Sequence, residues 1–314
     1  MQDYTNRFNF AKNLALECGN VALSFYNKNG GAKAKSGVQI DSKTNLNDLV
    51  TAGDQATEKY FIEQVRKNFP NDKILGEETD AGQTNNSKVS ENFENAPESL
   101  KNLNNGEPVW IVDPIDGTMS FVHGFDYWCV SIGFVAEGEI IFGVILQPTR
   151  NWLYSGYIGK GSFIENLSDK SSSAPTQLKS STQKTIQGSL LMGSMAKCYW
   201  PLQRKALQIG IHGIRSPGAA ALMLCDVASG SCDFYTHTSL HAWDLCAGAR
   251  IVLEAGGRLY NNDFSGEFDL FSRQIGACAT VELAKDLNEN LSEECKAGNK
   301  PGCKALKRDV LAWA

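Results

Sequence analysis

Apolar residues recur at three- and four-residue intervals between Tyr4 and Asn27, where Phe8, Ala11, Ala15, Cys18, Ala22 and Phe25 form one stripe. That spacing predicts an amphipathic helix lying on a core. Residues 29–47 are polar, rich in Gly and Lys, and fit neither helical nor strand period, which predicts a loop. A second helix is expected to start at Asp54, a good N-cap residue, and to bury Phe61 and Val65. Residues 73–76 read as a short strand running into Glu77 and Glu78, and the Asn/Ser/Glu-rich stretch 81–107 as a surface loop. Strands are predicted at 109–112, 128–136 and 139–146, the last two joined by a tight turn at Glu137-Gly138, so this region is antiparallel in character. Beyond a Ser-rich connection at 171–185, strands at 189–192, 233–235 and 275–279 alternate with helices at 218–229, 244–255 and 281–291. Past Asn290 the order signals weaken.

This alternation predicts an α/β sandwich of three or five layers rather than separable domains. The expected unit spans 1–290, an α+β half to about 185 and an α/β half over 186–290, with a tail at 291–314. A chain of 314 residues buries a large core without difficulty. No apolar run approaches the roughly 18 residues of a membrane-spanning helix, and the first residues lack the basic-then-apolar layout of a signal peptide. A cytoplasmic protein with no membrane partner is expected. The net charge of −5 argues against a nucleic-acid partner held on a broad basic face. Nine cysteines without CxxC pairs, mostly in apolar surroundings, read as reduced, buried thiols.

Candidate chemistry concentrates in Trp110-Ile-Val-Asp113-Pro-Ile-Asp116-Gly-Thr118. An apolar strand delivers Asp113 at its end, Pro114 keeps Asp113 out of helical geometry, and Gly117 lets the backbone approach a ligand. Two carboxylates at a strand-to-helix turn form an oxygen-rich mouth suited to a hard cation, and a helix opening at Thr118 would turn its N–H groups toward a phosphate. Two solvated aspartates in a capped turn would leave the same local pattern. Glu77 and Glu78 also follow a strand, and Asp244 stands at a helix start, so three acidic segments could converge; Asp54 and Asp244 could equally be ordinary caps.

Together these segments resemble the inositol monophosphatase family over roughly residues 5–290. The matching stretches are WIVDPIDGTMSFVHG, WDLCAGARIVLEAGG, NDLVTAGD ending at Asp54, and Gly76-Glu77-Glu78, with HGIRSPGAAA and FDLFSR pointing to the animal-type enzymes. The resemblance implies an αβαβα layered sandwich, a homodimer, and lithium-sensitive, magnesium-dependent hydrolysis of a small phosphate ester by directly attacking water. It implies two or three Mg²⁺ ions. Glu77, Asp113 and the Ile115 carbonyl would hold the first, Asp113, Asp116 and Asp244 the second, and a third would sit near Glu77 within reach of the loop carrying Lys43. Glu77, with Thr118 hydrogen-bonded to Asp54, would orient and deprotonate the water. Asp116, Gly117, Thr118, Gly218, Ala219, Ala220, His237 and Asp244 would line the phosphate and substrate.

Some positions depart from the family pattern. Met119-Ser120 stands where Thr-Asn is common, Gly53 where Thr is, Gly218-Ala219-Ala220 where Gly-Thr-Ala is usual, and His237 where an acidic residue holds a substrate hydroxyl. Inositol monophosphate is the expected substrate. Histidinol phosphate, fructose bisphosphate or another sugar phosphate is the alternative, and an inactive cation-binding homologue the alternative of another class. His123 and His241 read as structural.

Overall fold

In the computed structural model, which describes residues 2–28, 41–42, 49–50, 52–79, 106–168, 174–194 and 199–297, the N-terminal stripe forms helix α1 (Thr5–Lys28). Helix α2 (Ala52–Asn68) packs beside it and buries Phe61 and Val65. Asp54 does not cap α2 as expected: the helix has already begun at Ala52, and Asp54 sits buried in its first turn. Two short strands pair antiparallel, β1 (Asp41–Ser42) within the expected loop and β2 (Leu49–Val50) just beyond it. Lys43 and the acidic stretch up to residue 105 lie outside the described residues.

Seven strands form the larger sheet in chain order: β3 (Lys73–Gly76), β4 (Val109–Asp116), β5 (Cys129–Ala136), β6 (Glu139–Gln147), β7 (Trp152–Tyr157), β8 (Gly161–Asn166) and β9 (Thr176–Gln177). β3 runs parallel to β4, and every later neighbour is antiparallel. Alternate residues of β4 and β5 divide between the two faces. Trp110, Val112, Ile132 and Phe134 meet α1 and α2, with Phe134 stacked on Phe142 at 4.9 Å. Each such side chain, fully buried, contributes about 1.5–3 kcal/mol.

Helix α3 (Thr118–His123) follows β4. The second sheet has the order β11-β10-β12-β14-β13, built from β10 (Leu190–Gly193), β11 (Gly213–Arg215), β12 (Phe234–Thr238), β13 (Arg258–Tyr260) and β14 (Gln274–Cys278). Helix α4 (Trp200–Ile209) and helix α7 (Val281–Ala297) cover its outer face through Leu202, Ala206, Phe234, Leu283 and Leu287. Between the sheets lie α5 (Ala220–Ala228) and α6 (Ala242–Glu254), whose Leu222, Leu245 and Ile251 join Ile145 of one sheet to Tyr235 and Ile275 of the other. The five layers are therefore helix pair, sheet, helix pair, sheet, helix pair, the expected αβαβα sandwich.

Two glycines bring α6 close to the larger sheet. A Cβ on Gly133 would meet Cys246 Sγ at 2.3 Å, and one on Gly143 would meet the Ala247 carbonyl at 2.1 Å. Helix α7 continues beyond the expected boundary at 290, with Leu291 and Cys295 in the core. The seven cysteines among the described residues are free and buried, as expected. No described helix is long and apolar enough to cross a membrane.

Candidate active site

Strand β4 is buried along its whole length and ends in the acidic turn. Its ladder with β5 is regular to Asp113↔Ser131, then slips, and resumes at Asp116↔Cys129. Pro114, which has no N–H to give the ladder, occupies the irregularity, and such bulges re-aim side chains. Asp113 Oδ1 accepts the Ile115 N–H at 3.1 Å. Gly117 follows with φ 92°, and an added Cβ would stand 2.9 Å from Ala219 Cβ and 3.0 Å from the Tyr127 carbonyl. Only glycine meets both demands.

Helix α3 opens at Thr118 as expected, but its hydroxyl donates to the Ile115 carbonyl at 3.1 Å and not to Asp54. In the first turn of a helix that carbonyl is the nearest acceptor, and the hydroxyl has a single proton to give.

Asp116 is held from the other side. Its Oδ1 accepts the Ala220 N–H at 3.1 Å and its Oδ2 the Ala221 N–H at 2.6 Å, with Cys129 Sγ 3.8 Å away. Ala219 at the N-cap of α5 has no side chain able to cap, so Asp116 satisfies those N–H groups from across the site. The expected phosphate-lining segment Gly218-Ala219-Ala220 thus spends the Ala220 N–H on a carboxylate.

Asp244 lies at the third helical position of α6 rather than at its cap. His241 is the N-cap, and Asp244 Oδ2 accepts the His241 N–H at 2.6 Å in a capping box. The His241 ring stacks on Trp243 at 4.4 Å and meets Arg273 at 2.9 Å, so it is structural as predicted. Burial, then the Arg273 charge, pushes its pKa down to about 3. His123 is exposed at the end of α3.

The Glu77–Glu78 turn hangs on a residue that the pattern did not single out. Glu58, buried on α2, accepts the N–H groups of Glu78 and Thr79, each at 2.7 Å, together with the Thr79 hydroxyl. A signal existed: Glu58 follows Asp54 by one helical turn, so both carboxylates share a face of α2.

These elements deliver two acidic groups. Asp54, Glu77 and Glu78 offer carboxylate oxygens all within 4.8 Å of one another, and Asp113, Asp116 and Asp244 do the same. The groups adjoin at Glu77 and Asp113, close enough for the charge of one to act on the other. Glu78 was read in the sequence only as part of its segment; the structure makes it a full member. Burial, followed by the Asp54 charge for Glu77 and the Glu77 charge for Asp113, raises both pKa values well above the usual range. Burial and the Asp244 charge push Asp116 up to about 7. Buried like charges at this spacing need protons or cations between them, and an all-oxygen donor set fits a hard divalent cation.

His237 on β12 is half-buried, its Nδ1 closed off and without a hydrogen-bond partner among the described residues. Its ring lies 5.5 Å from that of Tyr199 and 6.1 Å from that of Tyr235, and burial lowers its pKa to about 4.

Paired carboxylate groups at strand ends and helix starts of an αβαβα sandwich form a site that could hold divalent cations. The model of the inositol monophosphatase family matches residues 3–296, and the chain belongs to that family, whose members are metal-dependent phosphatases. It is 34% identical to inositol monophosphatase 1 of Rattus norvegicus over 265 residues, 82% of this chain and 86% of that one. With inositol monophosphatase 1 of Homo sapiens it shares 32% over 286 residues, 88% of this chain and 94% of that one. The solved IMPase of Thermotoga maritima superposes with a TM-score of 0.71 at 25% identity, covering 92% of this chain and 99% of that one.

Proposed function

We propose that the chain hydrolyses the phosphate monoester of a small polyol, inositol monophosphate foremost, with two or three Mg²⁺ ions. The observation that carries this reading is the pair of acidic groups that adjoin at Glu77 and Asp113. The names of its curated relatives support the substrate.

Glu77, Asp113 and the Ile115 carbonyl would hold one ion, and Asp113, Asp116 and Asp244 another, with Asp54 and Glu78 extending the first group. When bound, the ions supply charge neutralisation and lower the pKa of water. Glu77, whose carboxylate lies beside that of Asp54, orients the attacking water and takes its proton as the water oxygen bonds to phosphorus and the ester P–O bond breaks, the departing polyol oxygen taking a proton from solvent water. The N–H groups of Gly117 and Thr118 hold the phosphate. The Thr118 hydroxyl fixes the Ile115 carbonyl rather than relaying a proton to Asp54. By the resemblance His237 would read a polyol hydroxyl, and as a neutral imidazole it offers one acceptor at most. By the same resemblance the enzyme is a homodimer and millimolar lithium inhibits it; its free, buried cysteines support a cytoplasmic setting.

Phosphate release from inositol monophosphate, histidinol phosphate, fructose bisphosphate and adenosine bisphosphate, at one Mg²⁺ concentration, tests this. The highest kcat/KM is expected for inositol monophosphate. A clear preference for another ester would overturn the substrate, and no release from any would overturn the activity.

A further inference from the structure

Tyr127 lies just before β5, and its hydroxyl donates to Asp226 Oδ2 on α5 at 2.5 Å. Neither residue belongs to the acidic groups, yet the bond joins the two elements that flank Asp116. Helix α5 is tied to the site at its first turn as well, where the N–H groups of Ala220 and Ala221 donate to the two oxygens of Asp116. From Tyr127 the chain runs through Trp128 to Cys129, which pairs with Asp116 in the ladder. Contacts thus close a ring: Asp116, the first turn of α5, Asp226, Tyr127, Cys129 and back to Asp116.

Gly117 touches both walls of this ring. A Cβ there would meet Ala219 on the α5 side and the Tyr127 carbonyl on the β5 side. Moving α5 along β5 must therefore break the Tyr127–Asp226 bond or draw the amides away from Asp116. Burial raises the pKa of Asp226 and the Tyr127 hydrogen bond pulls it back, as expected of a carboxylate that keeps this partner. Groups that orient a cation's ligands commonly govern its affinity without touching it.

We infer that Tyr127 and Asp226 are a positioning pair that holds α5 against the start of β5, keeping Asp116 aimed at the cation it shares with Asp113 and Asp244. This rests on the cation-dependent reading of the site. The Asp54–Glu77–Glu78 group, carried by α2 and β3, lies outside the ring and should be spared.

Mn²⁺ binding to the full-length wild type, Y127F, D226N, the double variant and D244N, followed by calorimetry and electron paramagnetic resonance, tests it. D244N marks the class of sites that depends on the Asp113–Asp116–Asp244 group. Y127F should weaken that class by roughly three- to tenfold, the loss of about one hydrogen bond, and D226N, whose amide oxygen still accepts from Tyr127 without the charge, by no more than that. The other class should change by less than about twofold, and the double variant should be no weaker than the worse single one. A lowered Tm with unchanged Mn²⁺ affinity, or equal weakening of both classes, would overturn the inference. Y127F removes only the hydroxyl and keeps the ring, so it remains informative if D226N folds poorly. Should wild-type protein bind Mn²⁺ in two classes but release no phosphate, the functional reading fails while the titration still decides the pair.

Discussion

Glu58 shows how far a single carboxylate reaches in this site. Its two oxygens accept the N–H groups of Glu78 and Thr79, which sets the direction of the Glu77–Glu78 turn. Glu58→Gln keeps the shape but leaves one oxygen for both N–H groups, and a buried N–H left unpaired costs about 1–3 kcal/mol. Mg²⁺ titration should show binding weakened by about tenfold, with phosphate release falling in parallel; unchanged binding would remove Glu58 from the site. His237 makes a second prediction, about stability and pH. Its folded pKa of about 4 lies below the value near 6.5 of an ordinary histidine, so between these values the unfolded chain binds a proton that the folded chain refuses. Stability is complete above about 6.5 and is lost as pH falls toward 4. His237→Gln should reduce the loss between pH 7 and pH 5 by roughly 1–2 kcal/mol, read by urea unfolding at the two pH values. His241, shifted in the same direction, keeps part of the slope. An identical slope in wild type and variant would count against a half-buried imidazole held neutral.

Elements with one clean period were legible in the chain: α1 from its stripe, and β4, β5 and β6 from their apolar runs and the Glu137-Gly138 turn. Strands β7 and β8 and helix α4 escaped, the strands because Ser, Gly and Tyr break their alternation, the helix because ten residues opened by a Pro give too short a stripe. Asp54 and Asp244 were placed one turn early because cap preference is local, whereas the helix start is set by packing. Asp113 and Asp116 stand where an apolar strand ends and Asp244 at a helix start, but it is the family resemblance that joins the three into one ligand set. Glu58 was not legible, since its role depends on which N–H groups its oxygens meet. Small residues under α6 were equally silent until both elements were in place. Gly143→Ala would drive a methyl against the Ala247 carbonyl, and overpacking of this kind costs about 1–3 kcal/mol. Thermal unfolding should show Tm lowered by roughly 2–10 °C, and an unchanged Tm would mean that α6 does not bear on the sheet as closely as described.

Across the whole molecule, the acidic groups gather where the layers meet. Glu77, Asp113 and Asp116 come from the larger sheet and the turns at its strand ends, Asp54 from the outer helix pair, and Asp244 from the middle pair. Convergence of buried and half-buried carboxylates from three layers stabilises nothing by itself; it raises the pKa values of Glu77, Asp113 and Asp116 and opposes folding unless protons or cations intervene. The fold therefore bears this cost for the chemistry that cations bring. Phosphate release from inositol monophosphate by wild type and Asp113→Asn, with Mg²⁺ and with excess chelator, tests that claim most directly. Wild type should require Mg²⁺ and stop in chelator. Asp113→Asn should lose roughly a thousandfold in turnover, equivalent to about 4 kcal/mol of transition-state stabilisation. Undiminished release in chelator, or full turnover by Asp113→Asn, would contradict the account.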